Sequence, residues 1–553
     1  MSVSMTLDLR ERPFTDRGSR LLVMACDDGS LRIARALYET PLADTTVLTG
    51  LRVLAGGAEA RVRRAAPDRV EFDGGACLAF ADAETLVLTA PGPGFEARWD
   101  GGGAAVDGCL ALTGGPPGAP PGTLSGTLSG TLSGTLSGSA RHDGPAVLAR
   151  AAQRWAAWFA RMPAVRADLR ERAEQAWWTL GVNLVDIRGH EALVPSKYGY
   201  VGLWNWDACF HAVGLRHGAP ELAREQLRVL LGHQLPDGLL PDVVHDHGVL
   251  AETTDLPRSD HARLAQHVGG AREGDGPIGG VVPVTKPPLT AWAVWKIHEA
   301  DPDPAFLAEV YEPLARAQEW WFTHSDPDGD GLPEYLHPYS SGLDDSPIWD
   351  HGPRAEPPDL NSYLAHQYDR LADIAEVLGR GADAARWRER AGEHTALLVR
   401  RRWSGTRFRT IAAGGSPYET VVETRTPLEL MPLFTGRLPA EIADRLVADL
   451  RSPAFWGERP VPTVAFGDPL FEPDAMWRGP VWLNVNHLLI DGLRRSGHAG
   501  TADELADRTL AMVRDGGGLY EYWNPLTGAR AARATSGFGW SAALFLDLAA
   551  ASA

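Results

Sequence analysis

The hydrophobic positions along this chain change their period near residue 145. From about residue 21 to 112 the apolar residues come in short runs, LLVMA, TTVLTGLRVLA, RVEF and TLVLT, separated by Gly, Asp and Pro. Short runs bounded by turn formers predict strands, and a succession of them predicts a β-sandwich. Beyond about Pro145 the apolar residues recur at helical spacing. Leu222, Ala223, Leu227, Leu230 and Leu231 share one face of 221–234, and Leu364, Leu371, Ile374 and Leu378 do the same ahead of Gly379. Pro439 opens a further helix carrying Ile442, Leu446 and Leu450.

Roughly a dozen such segments are joined by alternately short and long connections. Paired helices closed into a ring, an (α/α)6 barrel, fit this arrangement, with the long loops gathered at one mouth. An open solenoid would show a repeat of about 34 to 47 residues, and none is visible. The fold expected is therefore mainly α: an (α/α)6 barrel over 145–553 behind an N-terminal β-sandwich over 1–114. Between them, 115–144 is rich in Gly and Pro and holds four consecutive GTLS copies at 122–137. That composition cannot bury a core, so a linker or surface loop is expected.

Length and charge narrow the function. At 553 residues two or more domains are expected. The net charge of -18 argues against nucleic acid and anionic membrane, both of which need a basic footprint. A small neutral molecule remains open as partner, and monomer and homodimer are equally compatible. The N-terminal stretch MSVSMTLDLRERPF carries acids and arginines where a secretory signal needs an apolar run, which makes the cytoplasm the expected location. The cysteines, Cys26, Cys77, Cys109 and Cys209, are scattered without a CxxC, so buried free thiols are expected rather than zinc ligands or disulfides.

Tryptophan marks where the chemistry sits: 18 of the 19 lie after residue 150, many of them in connections. In YVGLWNWDACF, Tyr200, Trp204, Trp206 and Asp207 precede a helical run. Aromatic faces cover the C–H surface of a sugar while a carboxylate accepts from its hydroxyls; packed tryptophans with Asp207 as a helix cap are the plainer reading. HQLPDGLLPD offers Gln234, VTKPPL offers Lys286, FEPDAMWRGPVW offers Trp477 and Arg478, and the last loop offers Glu521, Trp523 and Trp540. Asp344 and Asp345 stand adjacent in HPYSSGLDDSPIWD, a stretch with no regular period, where solvated turn acids are the plainer reading.

Four motifs in this order, YVGLWNWDACFHAVGL, SSGLDDSPIW, MWRGPVWLNVN and EYWNPLTG with FGWSAALF, resemble glycoside hydrolase family 63. The likeness covers most of the chain after residue 150 and includes the family's α-glucosidases and its mannosylglycerate and glucosylglycerate hydrolases. It implies an inverting α-glycosidase acting on a small α-glucoside, an oligosaccharide or a glycosyl glycerate, with no cofactor needed for catalysis. Asp344 matches the general acid and Glu521 the general base, and an inverting pair stands about 6.5 to 9.5 Å apart. Asp345 then tunes the acid's loop. Tyr200, Trp204, Trp206 and Asp207 match one wall of the sugar site and Trp477 and Arg478 the opposite rim, with Trp523 and Trp540 joining them. Lys286 departs from the family pattern, where Gln precedes the paired prolines in the glycerate-releasing members, and a cation there suits an acceptor carboxylate or a different leaving group.

In DPDGDGLPE, Asp326, Asp328, Asp330, the carbonyl of Leu332 and Glu334 fall at positions 1, 3, 5, 7 and 9 of an EF-hand-like loop, without the acid at position 12. A structural Ca²⁺ and a self-capped acidic turn are both open there. Three other functions compete with hydrolysis: a phosphorylase on the same barrel, a non-catalytic carbohydrate-binding protein, and a terpene-type cyclase using the paired acids.

Overall fold

The computed structural model describes residues 5–106, 108–114, 124–127, 142–272, 274, 276–412 and 420–552. They divide into two compact units, one of residues 1–164 and 173–201, the other of 165–172 and 202–553.

The first unit is built on two antiparallel sheets. Its strands are β1 (Leu21–Ala25), β2 (Leu31–Arg35), β3 (Thr46–Ala55), β4 (Ala58–Ala60), β5 (Val62–Ala66), β6 (Arg69–Phe72), β7 (Cys77–Asp82), β8 (Thr85–Thr89), β9 (Phe95–Trp99), β10 (Gly102–Val106), β11 (Cys109–Gly114) and β12 (Leu124–Thr127). One sheet runs β1-β2-β3-β9-β10 with β4 on β3, and the other runs β12-β11-β8-β7-β6-β5. The short apolar runs became strands as their alternation predicts.

Two expectations need correcting in this unit. Part of the GTLS stretch, 124–127, is a strand that extends the sheet at β11, because a sheet edge accepts any extended backbone with free N–H and C=O groups; the rest of the repeat lies outside the described residues. The boundary at 145 also moves. Helix α1 (Gly144–Phe159), capped by Asp143, buries Val147 and Ala151 against Ala79, Val87 and Ala111 of the second sheet. Trp158 on α1 stacks on Trp177 of α2 (Arg170–Val182) at 4.6 Å, and each indole N–H donates to the other residue's carbonyl oxygen, at 2.8 and 2.7 Å. The amphipathic helix thus serves the sheet, which local periodicity cannot reveal.

The second unit is helical: α3 (Asn205–Leu215), α4 (Pro220–Gly232), α5 (Arg258–Leu264), α6 (Thr290–Ala300), α7 (Pro304–His324), α8 (Pro338–Ser341), α9 (Pro358–Val377), α10 (Gly381–Arg402), α11 (Ala440–Leu450), α12 (Leu483–Arg495), α13 (Ala499–Asp515) and α14 (Gly539–Ala551), with a 3-10 helix over Pro427–Thr435. α3 packs on α6, α6 on α9, α9 on the 3-10 helix, that helix on α12, α12 on α14, and α14 back on α3. α14 is buried from Gly539 to Ala549, and Gly214 of α3 lies so close to Ala543 that a Cβ would come within 2.4 Å of its backbone. α4, α7, α10, α11 and α13 pack against members of this cycle and keep one polar face, as their 3.6-residue pattern requires. No helix among the described residues is long and apolar enough to cross a membrane. The cysteines are free thiols, yet Cys209 alone is fully buried; Cys26, Cys77 and Cys109 are half-buried.

Candidate active site

The second unit brings together segments far apart in sequence. A three-stranded sheet pairs Leu203–Trp204 with Val243–His245, and the Asn205 N–H donates to the Asp242 carbonyl oxygen at 2.9 Å, which sets Asp242 beside the first turn of α3 and Asp207. Thr285 ties the next segment in: its hydroxyl donates to the Leu240 carbonyl at 2.6 Å and its N–H to Ser340 Oγ at 3.2 Å. Lys286 is thereby threaded between Asp242 and α8. Its Nζ lies 3.0 Å from Asp242 Oδ1 and donates to the Tyr339 carbonyl at 2.6 Å, and the side chain is only 6% exposed.

The loop carrying Asp344 is irregular because three constraints meet there. Gly342 closes α8 at φ +71, and a Cβ on it would lie 2.2 Å from the Trp206 ring. The Leu343 N–H donates to Ser341 Oγ at 2.9 Å, and Trp349 Nε1 donates to the Leu343 carbonyl at 2.8 Å. Asp345 then turns away, accepting at Oδ1 from the Trp477 N–H at 2.8 Å. Asp344 is left half-buried, its Oδ1 shielded and without a hydrogen bond among the described residues.

Glu521 arrives from the last long loop. Its N–H donates to the Thr535 carbonyl at 2.8 Å and its Oε2 accepts from the Thr535 N–H at 3.1 Å, while Val481 and Trp523 exchange backbone bonds of 2.9 and 3.0 Å. Between these loops stand the rings. Trp477 and Trp482 stack face to face at 3.6 Å, Trp482 lies 4.6 Å from Tyr522, and Trp206 meets Trp540 edge-on at 5.2 Å and Trp477 at 6.1 Å. The indole N–H groups of Trp477 and Trp540 are buried and donate to no acceptor among the described residues.

Electrostatics separates the carboxyls. Burial pushes Asp344 up to about 6, against the pull of Lys286 and Arg263, with Asp345 and Asp260 pushing the same way as burial. Burial raises Asp242 to about 7 despite its ion pair with Lys286. It lifts Asp207 well above the carboxylate range too, with Lys286 opposing and Asp242 and Glu521 adding repulsion. One buried ammonium therefore acts on Asp207, Asp242 and Asp344 together, and the low dielectric keeps those interactions strong.

Several sequence candidates take other roles. Gln234 donates to the Gly238 and Pro313 carbonyls at 3.0 and 2.9 Å and accepts from Arg316 at 2.6 Å, so its amide is consumed in holding α7. Trp523 is 0% exposed, with its Nε1 behind Gly516 at the end of α13. Arg478 is committed to an ion pair with Asp350. Trp204 is half-buried at the start of α3, and Tyr200 belongs to the first unit, where it bridges Ser196. Asp242, which closes the HQLPDGLLPD loop, was visible there without a role assigned to it, and Arg263 was not singled out by the sequence. Of the calcium set, Asp326, Asp328 and Asp330 bring carboxylate oxygens within 4.8 Å of one another. Glu334 instead holds Arg354 at 3.1 Å, and the Leu332 N–H donates to Asp330 Oδ1 at 2.8 Å. The three aspartates suit a hard cation.

A carboxyl raised by burial and a second carboxyl group in the same unit are suited to glycosidic bond cleavage. Known proteins point the same way. Residues 200–541 match the mannosylglycerate hydrolase MGH1-like glycoside hydrolase domain. The mannosylglycerate hydrolase of Thermus thermophilus is 30% identical over 421 residues, covering 64% of this chain and 95% of that one. The glucosylglycerate hydrolase of Mycolicibacterium hassiacum is 26% identical over 426 residues, covering 63% and 92%. The solved GH63 mannosylglycerate hydrolase from Thermus thermophilus in complex with glucose aligns with a TM-score of 0.54 at 26% identity, over 68% of this chain and 98% of that one. The chain belongs to glycoside hydrolase family 63 and is a glycoside hydrolase.

Proposed function

We propose that this enzyme hydrolyses a small α-linked glycosyl glycerate with inversion at the anomeric carbon. The named activities of the mannosylglycerate and glucosylglycerate hydrolases support the substrate class. The mechanism rests on one observation: of the adjacent acids, Asp345 is spent on the Trp477 N–H, while Asp344 keeps a shielded, unpartnered oxygen and a carboxyl raised to about 6. Asp344 gives its proton to the glycosidic oxygen as that bond breaks. Glu521, aimed by Thr535, takes a proton from the water that attacks the opposite face of the sugar. Trp206, Trp477 and Trp540 shape the sugar pocket, and Asp207 binds its hydroxyls. The cyclic packing of six elements from α3 to α14 supports an (α/α)6 barrel around this pocket. A calcium ion on Asp326, Asp328 and Asp330 would brace the loop leading to Asp344.

The test is turnover of α-glucosylglycerate and α-mannosylglycerate beside trehalose and the α-linked glucobioses, by wild type, Asp344→Asn and Glu521→Gln. Glycerate release by the wild type, and its collapse in both variants, is expected. Turnover that survives either substitution would refute the assignment of that residue.

A further inference from the structure

The sequence singles out Lys286 as the cation for an acceptor carboxylate, and the structure commits that ammonium elsewhere, to Asp242 and the Tyr339 carbonyl. The other cation acting on Asp344 is Arg263 on α5. Its Nε donates to the Tyr339 hydroxyl at 3.2 Å, its Nη2 donates to the same hydroxyl, and Nη2 also lies 3.3 Å from Asp260. Among the described residues Nη1 makes no hydrogen bond, and the side chain is 51% exposed. The guanidinium is thus pinned along one edge by a buried tyrosine whose own backbone holds Lys286, with its other edge open to solvent.

We infer that Arg263 is a specificity-determining residue that binds the carboxylate of the departing glycerate. The inference rests on the glycosyl glycerate reading above. In an inverting site the leaving group lies on the side of the general acid, since the base and its water occupy the opposite face. Arg263 holds the hydroxyl of Tyr339 on α8, the helix whose Gly342 cap leads into Asp344, which sets Arg263 on the acid's side of the site. The exposed Arg533, by contrast, acts on Tyr522, next to the base. A guanidinium also offers what the role needs: a permanent charge and a planar fork that matches a carboxylate. Asp260 and Tyr339 fix the orientation of that fork before substrate arrives, which lowers the ordering cost of binding.

The experiment compares two substrates that share a sugar and differ only in the leaving group, an α-glycosyl glycerate and the α-glycosyl glycerol in which CH2OH replaces the carboxylate. kcat/KM is measured on both for wild type, Arg263→Gln and Arg263→Lys, with product inhibition by D-glycerate alongside. The wild type should prefer the anionic substrate, and Arg263→Gln should reduce that preference roughly 10- to 100-fold, the range of a charged hydrogen bond. Arg263→Lys should retain an intermediate preference, and inhibition by D-glycerate should weaken in step. If Arg263→Gln slows both substrates equally, the residue is structural and the inference fails while the glycosyl glycerate reading stands. A wild type that cleaves the neutral substrate and not the anionic one would overturn both.

Discussion

The Trp477 N–H donates a 2.8 Å hydrogen bond to Asp345 Oδ1, and this contact divides the labour between two neighbouring acids. Asp345 fastens the loop before α12 to the loop after α8. Asp344, one residue earlier, keeps a shielded carboxyl oxygen that makes no hydrogen bond among the described residues.

Substitutions at the two positions should therefore differ in kind. Asp344→Asn keeps the shape and should lower kcat by roughly 10²- to 10⁴-fold with an intact fold. Asp345→Ala removes the acceptor of a buried N–H and should cost about 1–3 kcal/mol of stability. Steady-state kinetics and urea unfolding on the same preparations separate the two.

The proton on Asp344 gives activity and stability the same dependence on its charge, since both favour the protonated carboxyl. A general acid must be protonated, so kcat should fall as pH rises above about 6, the value set by burial. Lys286 holds that value down, so Lys286→Gln should move the alkaline limb of the kcat profile to higher pH. For stability the folded pKa lies above the unfolded one. The contribution is then fully present below about pH 4 and lost as pH rises through about 6. Asp344→Asn cannot ionise, so it should match wild type at pH 4 and exceed it at pH 8 by something on the order of 1–3 kcal/mol. Thermal unfolding at the two pH values checks the sign.

Gly342→Ala should damage both the acid's loop and the aromatic wall. The new Cβ would meet the Trp206 ring at 2.2 Å on a backbone at φ +71. Positive φ costs about 1–2 kcal/mol for an alanine and overpacking about 1–3 more. A fall in unfolding midpoint together with a fall in kcat is expected, and a change in neither would mean that the loop relaxes freely.

Calcium should raise the unfolding midpoint, and a chelator should lower it, through preferential binding to the folded state. Asp328→Ala should abolish the shift without removing activity in calcium-free buffer, because Asp328 lies in the Asp326–Asp330 cluster and not among the groups around Asp344. Isothermal titration of wild type and variant measures this directly.

What the sequence disclosed follows the range of the interactions involved. Strands such as LLVMA and TLVLT and the faces of α4 and α9 depend on neighbours a few residues away, and local period revealed them. The glycosidase motifs were legible because each is a contiguous stretch of sequence. Partnerships across the fold were not. Nothing near Lys286 announces Asp242, nothing near Gln234 announces Arg316, and the burial of Trp523 behind Gly516 is set by α13. Arg263 reads locally as one more surface arginine on a short helix; only the Tyr339 hydroxyl, brought to it by α8, shows that its fork is oriented.

The central claim is that Asp344 and Glu521 act on opposite faces of the sugar, and anomeric proton NMR during the first minutes of hydrolysis tests it most directly. With an α-glycosyl glycerate as substrate, the account predicts that the β-anomer of the free sugar appears first and then mutarotates. Initial release of the α-anomer would mean retention through a covalent intermediate and would contradict the assignment of both residues.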